Sequence, residues 1–438
     1  MGPPLRNLLS TYRRRLTSYE AVLAYSLLGV LGGLASGVVV IAFEYAIAEL
    51  AALWEVSDGG ENFEGLPQWM HFALPAAGAL FLGMVYHFLR PEDRETGIVH
   101  VLSRMHTHYG VLPLRNAILQ FVGGAVALAT GQSGGREGPG VHLGGAANSL
   151  LGQWLSLPNN SLRVLIACGT AGGIAAAFNT PLAGVIFAME VIVAEYTVVG
   201  FIPVILAAVS ASAATRLFSE QGAIFSIPPT SLGSLLEIPY IVLLGVLCGV
   251  VAALFIRISR QASALSAWPV IARFTLAGLL TGTLALAAPQ ILGIGYDTLN
   301  ASLQGEIAVR TLVVIAVCKL VATAVSCGFG MPIGIIGPSL IIGGCLGSIL
   351  GTLGQAFIPH MTSDPTLYIV IGMAAAMGAV LNAPLAAILA VIELTHSIGI
   401  AMPAMLAIVA ATLTNTGAFR QRSAHQTVLR QLQRRVPE

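Results

Sequence analysis

Residues 134–145 read Gly-Gly-Arg-Glu-Gly-Pro-Gly-Val-His-Leu-Gly-Gly, and residues 333–344 read Ile-Gly-Ile-Ile-Gly-Pro-Ser-Leu-Ile-Ile-Gly-Gly. Gly138-Pro139 and Gly144-Gly145 match Gly337-Pro338 and Gly343-Gly344 at a single offset of 199 positions. Further along, Asn-Thr-Pro-Leu-Ala at 179–183 is matched by Asn-Ala-Pro-Leu-Ala at 382–386, offset by 203, and each segment ends on a carboxylate, Glu190 or Glu393. Two motif pairs in the same order at nearly one offset describe a chain that repeats itself. The repeat is embedded in apolar sequence: of 438 residues, 56% are hydrophobic and 9% charged, where a soluble chain carries about 25% charged residues. Such a chain is a polytopic membrane protein, and in lipid its apolar runs must close their backbone hydrogen bonds as helices.

Composition excludes several function classes. A net charge of +1 gives no basic surface for nucleic acid. Cys168, Cys248, Cys318, Cys327 and Cys345 all lie in apolar stretches without metal-ligand spacing, so they read as small core residues, and no cofactor or metal is expected. No cleavable signal peptide is expected. Arg6, Arg13, Arg14 and Arg15 near the start, with Arg420, Arg422, Arg430, Arg434 and Arg435 near the end, put both termini on the cytoplasmic side. Glu55, Asp58, Glu61 and Glu64 then fall in an outer, solvated loop.

Apolar runs that can span a bilayer, which takes roughly 20 residues, are 21–54, 70–89, 201–218, 237–258, 270–290 and 309–326. Shorter Gly-rich segments lie between them, among them 96–106, 138–155, 163–178, 334–354, 384–398 and 401–417. Broken backbone at membrane depth survives only where protein or a water-filled cavity covers it. The expected organisation is a tail at 1–19, a first membrane repeat at 20–218, a linker at 219–236 with Pro228 and Pro229, a second membrane repeat at 237–418 and a tail at 419–438. Paired Gly/Pro-broken segments in two halves are the best sequence pointer to a substrate site, and an odd number of crossings per half would make the repeat inverted.

The two Gly-Pro motifs predict two helix starts. Proline fits the first turn, where its missing N–H costs nothing, and the free N–H groups of a helix start bind anions. Glu137 stands in one copy where Ile336 stands in the other. A carboxylate beside an anion site occupies it when ionised and withdraws when protonated, so Glu137 is the candidate gate. Glu190 and Glu393, present in both copies, read as structural carboxylates. Glu195 reads as an interfacial charge, Lys319 as snorkelling or facing the interior, and His142 as a satisfied core histidine.

With these residues in view, Gly135-Arg136-Glu137-Gly138-Pro139 resembles the signature of the CLC family of chloride channels and chloride/proton antiporters, as do the Asn-x-Pro-Leu-Ala…Glu segments and the paired Gly-Pro helix starts. The resemblance covers roughly residues 20–430. It implies an all-α polytopic fold with an inverted-topology repeat, broken and re-entrant helices, and a homodimer with one anion pore per subunit. It implies that Glu137 is the external gating glutamate and that chloride or similar small anions meet Thr96, Gly97, Arg136, Gly138, Ile335 and Ile336, with protons as a second transported species. Several positions depart from the family pattern. Thr96 stands for serine, Val99 for proline and Ile336 for phenylalanine, while the pore tyrosine of the last helix falls near His425, which would make conduction pH-sensitive near neutrality. The internal proton-transfer glutamate of many antiporters falls at Val191, with Glu195 a speculative substitute. Only residues 419–438 follow the last apolar segment, so the nucleotide-binding CBS domains of eukaryotic members are not expected, and a prokaryotic inner membrane is the implied location.

A competing reading comes from another class. Gly131-Gln132-Ser133-Gly134 matches the Gly-x-Ser-Gly motif of rhomboid-type intramembrane proteases, with Ser133 as nucleophile and His100, His142 or His396 as its base. It leaves the repeat and the Glu137/Ile336 asymmetry unexplained, so the expectation is anion transport without enzymatic activity, by channel or by antiport.

Overall fold

The computed structural model describes residues 21–56, 61–194, 198–218, 225, 227–228, 230–357 and 362–433. The tail 1–19, Asp58, Glu195, Pro229, Arg434 and Arg435 lie outside the described residues. Within them the regular structure is helical: seventeen α-helices with short 3-10 and π segments, with isolated bridge residues, Gly135 and Gly334 among them, in place of any strand. Eight of the described helices are long and apolar enough to cross a membrane.

Three segments that looked short in the sequence prove long. Asn159–Phe178, Ile336–Phe357 and Ile398–Ala418 each qualify as a span. The first gains a polar first turn, Asn159-Asn160-Ser161; the second tolerates Pro338 in its first turn; the third is lengthened by the flanking turns Ile398–Ile400 and Thr414–Ala418. The opposite holds at 270–290, where the helix Val270–Ala285 has only 16 residues. Pro289 follows it and starts a separate 3-10 turn, and the residue before a proline is pushed out of helical geometry.

The chain divides into two compact units: the described residues within Met1–Phe43, Thr96–Phe121 and Pro139–Gly222, and those within Glu44–Glu95, Val122–Gly138 and Ala223–Glu438. Each is built by close helix pairing through small residues, which is how apolar helices gain contact where lipid offers no hydrophobic drive. In the first unit, Gly33 and Gly37 of the helix Ala21–Ala52 lie against Ala207 and Ala211 of Val198–Phe218. In the second, Gly245 and Gly249 of Ile238–Ala264 lie against Ala407 and Ala411 of Ala401–Leu413. The repeat is thus visible in packing as well as in motif.

The Asn-x-Pro motifs have a local reason. Asn179 (φ 55°) and Asn382 (φ 54°) end the helices Asn159–Phe178 and Pro365–Leu381 in the left-handed region, which asparagine tolerates better than most residues. Pro181 and Pro384 then open the next helices, Pro181–Phe187 and Pro384–Thr395. The first continues as a π segment, Ala188–Val193.

A glycine-to-glycine pairing is repeated too: Gly144 meets Gly169 in the first unit, and Gly343 meets Gly372 in the second. A side chain at Gly372 would overlap the Gly343 carbonyl oxygen. Gly372→Leu should therefore cost about 1–3 kcal/mol, read as a lowered melting temperature in detergent, while Leu413→Ala on an exposed face should leave that temperature unchanged.

Candidate functional site

Gly135 and Gly334 occupy the same place in the two copies, 199 positions apart. Each donates its N–H to the other's carbonyl oxygen, both at 2.8 Å. The backbones approach so closely that a Cβ on Gly138 would come within 2.7 Å of the Gly334 Cα. This explains the glycines on both sides of the motif: the two loops must touch before their helices, α1 (Glu137–Trp154) and α2 (Ile336–Phe357), begin. A residue that exchanges both bonds with its own counterpart defines a local two-fold axis between the copies.

Glu137 opens α1 and is fully buried. Its Oε2 accepts the Gly337 N–H at 3.1 Å, from the first turn of α2. Its Oε1 accepts the phenolic O–H of Tyr296. A carboxylate of the first copy is thus seated on donors of the second, and its counterpart Ile336 has no polar group to offer. Arg136 Nε lies 3.2 Å from Glu44 Oε1, an ion pair without hydrogen-bond alignment, and the Arg136 guanidinium sits 5.7 Å from the centroid of the Tyr296 ring. Ile335 and Ile336 are buried, with Ile336 the first residue of α2. Glu137, Arg136, Gly138, Ile335 and Ile336 therefore come together in one unit.

Tyr296 and Glu44 stand in this cluster against Glu137 and Arg136, and the sequence did not single them out. The sequence trace of Tyr296 is one shared glycine, Gly97 and Gly295, 198 positions apart, and only the structure shows that both have positive φ (73° and 86°) at the start of a helix. The helix Tyr296–Leu303 is the second copy of Gly97–Thr107. A motif reduced to one shared glycine does not stand out in apolar sequence, and Glu44 sits unmarked within a long helix.

Thr96 and Gly97 belong to the other unit. Thr96 is extended and precedes Gly97–Thr107 without capping it through its side chain. The Gly97 N–H, expected to face an anion, instead donates to Gln120 Oε1 at 2.7 Å. Gln120 and Lys319 are again 199 apart, and Lys319 serves the corresponding loop from the opposite polarity: its Nζ donates to the carbonyls of Ile291 and Gly293 at 3.2 and 3.3 Å. Lys319 is fully buried, so it faces the interior and does not snorkel.

His425 lies in the last described helix, Ala424–Gln433, and burial pushes its imidazole down to about 4. It is neutral at physiological pH, which removes the reason to expect pH sensitivity near neutrality from this residue. Val191 and Glu190 lie in the π segment Ala188–Val193, and Glu393 in Pro384–Thr395; the two carboxylates are half-buried. His142 is buried and pairs with His100, Nε2 to Nδ1 at 2.8 Å. Ser133 is buried, and its hydroxyl bonds to that of Thr323 at 2.9 Å. Among the described residues, the hydroxyl's partner is Thr323 and not an imidazole.

A family model described as voltage gated chloride channel matches residues 78–416. The chain belongs to that family, the CLC family. It is 32% identical over 397 residues to a putative chloride channel protein, ClcB-like, of Ralstonia nicotianae, covering 89% of this chain and 92% of the relative. It is 30% identical over 423 residues to the H+/Cl− exchange transporter ClcA of Vibrio cholerae, covering 93% and 89%. Its fold matches a slow cyanobacterial Cl−/H+ antiporter with a TM-score of 0.83, over 94% of this chain and 98% of that one at 22% identity. A CLC-type fluoride/proton antiporter matches with a TM-score of 0.76 over 91% and 97%, also at 22% identity. The CLC fold is the all-helical inverted repeat expected from the motifs, and CLC membership leaves the protease reading without support.

Acidic groups stand around this CLC site outside the spans. Partial burial pushes Glu61 up to about 7 against the pull of Arg136. Burial, helped by the charge of Asp297, pushes Glu64 up to about 7. A carboxyl group raised in the folded state keeps its proton there while the unfolded chain loses it, so the folded state is favoured at low pH and loses stability as pH rises from 4.5 towards 7. The melting temperature should fall across that window, and Glu61→Gln combined with Glu64→Gln should flatten the fall. An unchanged slope in the double variant would contradict the assignment.

Proposed function

We propose that this CLC protein moves chloride and similar small anions across a membrane through one pore in each subunit of a homodimer, with Glu137 as the proton-sensitive gate. The observation that carries the reading is the seat of the Glu137 carboxylate. It accepts one N–H from the first turn of α2 and one phenolic O–H, so it fills a place built for an anion. A helix start offers partial positive charge without a full cation, and binding by such partial charges is weak enough for the ion to leave again. Arg136 adds positive potential, moderated by its pairing with Glu44. Ionised, Glu137 competes with chloride for the seat; protonated, it no longer needs the donors and vacates it.

The relatives carry the names of both a chloride channel and an H+/Cl− exchanger, and both modes fit the same gate. Val191 cannot ionise, so a proton route on the inner side would need other groups. The proposal places the protein in a prokaryotic inner membrane with both termini cytoplasmic, as the tail arginines argue. From the family resemblance alone it keeps Thr96, Gly97, Gly138, the amides of Ile335 and Ile336 and His425 as anion contacts, with Glu190 and Glu393 as structural carboxylates.

The test is flux from purified protein in liposomes. Chloride efflux from the wild-type protein should rise as pH falls, and Glu137→Gln should give flux that no longer depends on pH. A variant with the full wild-type pH profile would overturn the gate. Under opposed chloride and pH gradients, a reversal potential that follows chloride alone identifies a channel, and one shifted by the pH gradient identifies an antiporter.

A further inference from the structure

We propose that Tyr296 is a second working residue of this site: its phenolic O–H latches Glu137 in the anion seat and then donates to the anion that replaces it. The inference rests on Glu137 being the gate. It begins with the repeat. Gly295-Tyr296 in the second copy stands where Gly97-Ile98 stands in the first, and both glycines turn the chain at positive φ into a short helix. The first copy has an aliphatic side chain at that place and the second has a phenol. The asymmetry is the complement of the other one, in which the first copy carries Glu137 and the second carries Ile336. One copy supplies the acid and the other supplies its side-chain donor.

The surroundings define what the hydroxyl can do. Tyr296 is buried, and its ring meets the edge of Phe225 at 5.1 Å between centroids and an angle of 79°. Arg136 lies over the ring face, and a phenol so held keeps its O–H aimed at Glu137 Oε1. The hydroxyl also lies at the start of α2: a Cβ placed on Gly337 would be 3.1 Å from it. The phenol and the Gly337 N–H therefore converge on one place from one side, which is the arrangement an anion needs once the carboxylate has left. The charged and titratable groups facing this place are Glu137, Arg136 and Glu61, with Glu44 behind Arg136. Asp297, next in the chain, stands near Glu64 and Lys319. None of these except Arg136 and Lys319 is a donor when ionised, and both are engaged elsewhere.

Removing the phenolic O–H takes a charge-assisted bond from the ionised, seated carboxylate and leaves the protonated form less affected. The gate should then release at higher pH. We would measure chloride flux against pH in liposomes for wild type, Tyr296→Phe and protein carrying 3-fluorotyrosine at position 296, whose more acidic hydroxyl is the stronger donor. Tyr296→Phe should shift the half-maximal pH upward by about one unit, a tenfold change in proton affinity, and the fluorinated residue should shift it downward. Calorimetry on the Glu137→Gln protein should show chloride binding weakened about tenfold when Tyr296→Phe is added, the equivalent of one modest hydrogen bond. Coincident pH profiles for all three proteins, or unchanged chloride binding, would reduce Tyr296 to a packing residue and overturn the inference while leaving the gate intact. Retained pH dependence in Glu137→Gln alone would instead overturn the gate. If Tyr296→Phe does not yield monodisperse protein, the fluorotyrosine shift decides the question by itself, since it preserves the ring and the hydroxyl.

Discussion

The reciprocal backbone bridge between Gly135 and Gly334 is the contact on which the site depends. It ties each copy of the repeat to its own counterpart, so the two Gly-Pro helix starts lie about one local axis. The contact needs residues without side chains, because Gly138 and Gly334 approach within the reach of a single Cβ. Both loops stay irregular as a result, and their helices begin where the bridge leaves them. The helix starts are therefore positioned by covalently short loops, and the polar seat between them inherits that rigidity.

Symmetry in the backbone then makes room for asymmetry in the side chains. A buried ionised carboxylate is costly unless donors meet it. Glu137 meets two, an N–H from α2 and the Tyr296 phenol, with Arg136 close by in charge though not in bond. The matching position Ile336 is apolar, so a single carboxylate occupies the axis. Two carboxylates there would repel one another, and two isoleucines would leave the seat without an internal competitor for the anion. The same logic of compensation shows at Gln120 and Lys319, equivalent positions that satisfy a loop N–H in one copy and loop carbonyls in the other.

Much of this was legible in the sequence because Gly-Pro and Asn-x-Pro are chemically distinctive against an apolar background. Their spacing exposed the repeat, and the Glu137/Ile336 difference singled out the carboxylate before any geometry was known. Tyr296 was not legible, since its motif shares only Gly295 with Gly97 and its partner lies 159 positions away in the chain. The helix at 159–178 was underestimated because hydropathy does not register its polar first turn, Asn159-Asn160-Ser161. His425 looked like a near-neutral titrating group, and only its burial reveals otherwise. Only geometry assigns Gln120 to the Gly97 amide.

The central claim is that the Glu137 carboxylate fills an anion seat made by the start of α2 and the Tyr296 phenol. Anomalous diffraction from crystals of the Glu137→Gln protein grown in bromide tests it directly. The account predicts a bromide peak within hydrogen-bonding distance of the Gly337 N–H and the Tyr296 hydroxyl, where the carboxylate oxygens otherwise lie. Bromide bound elsewhere along the chain, with no peak at that place, would contradict it.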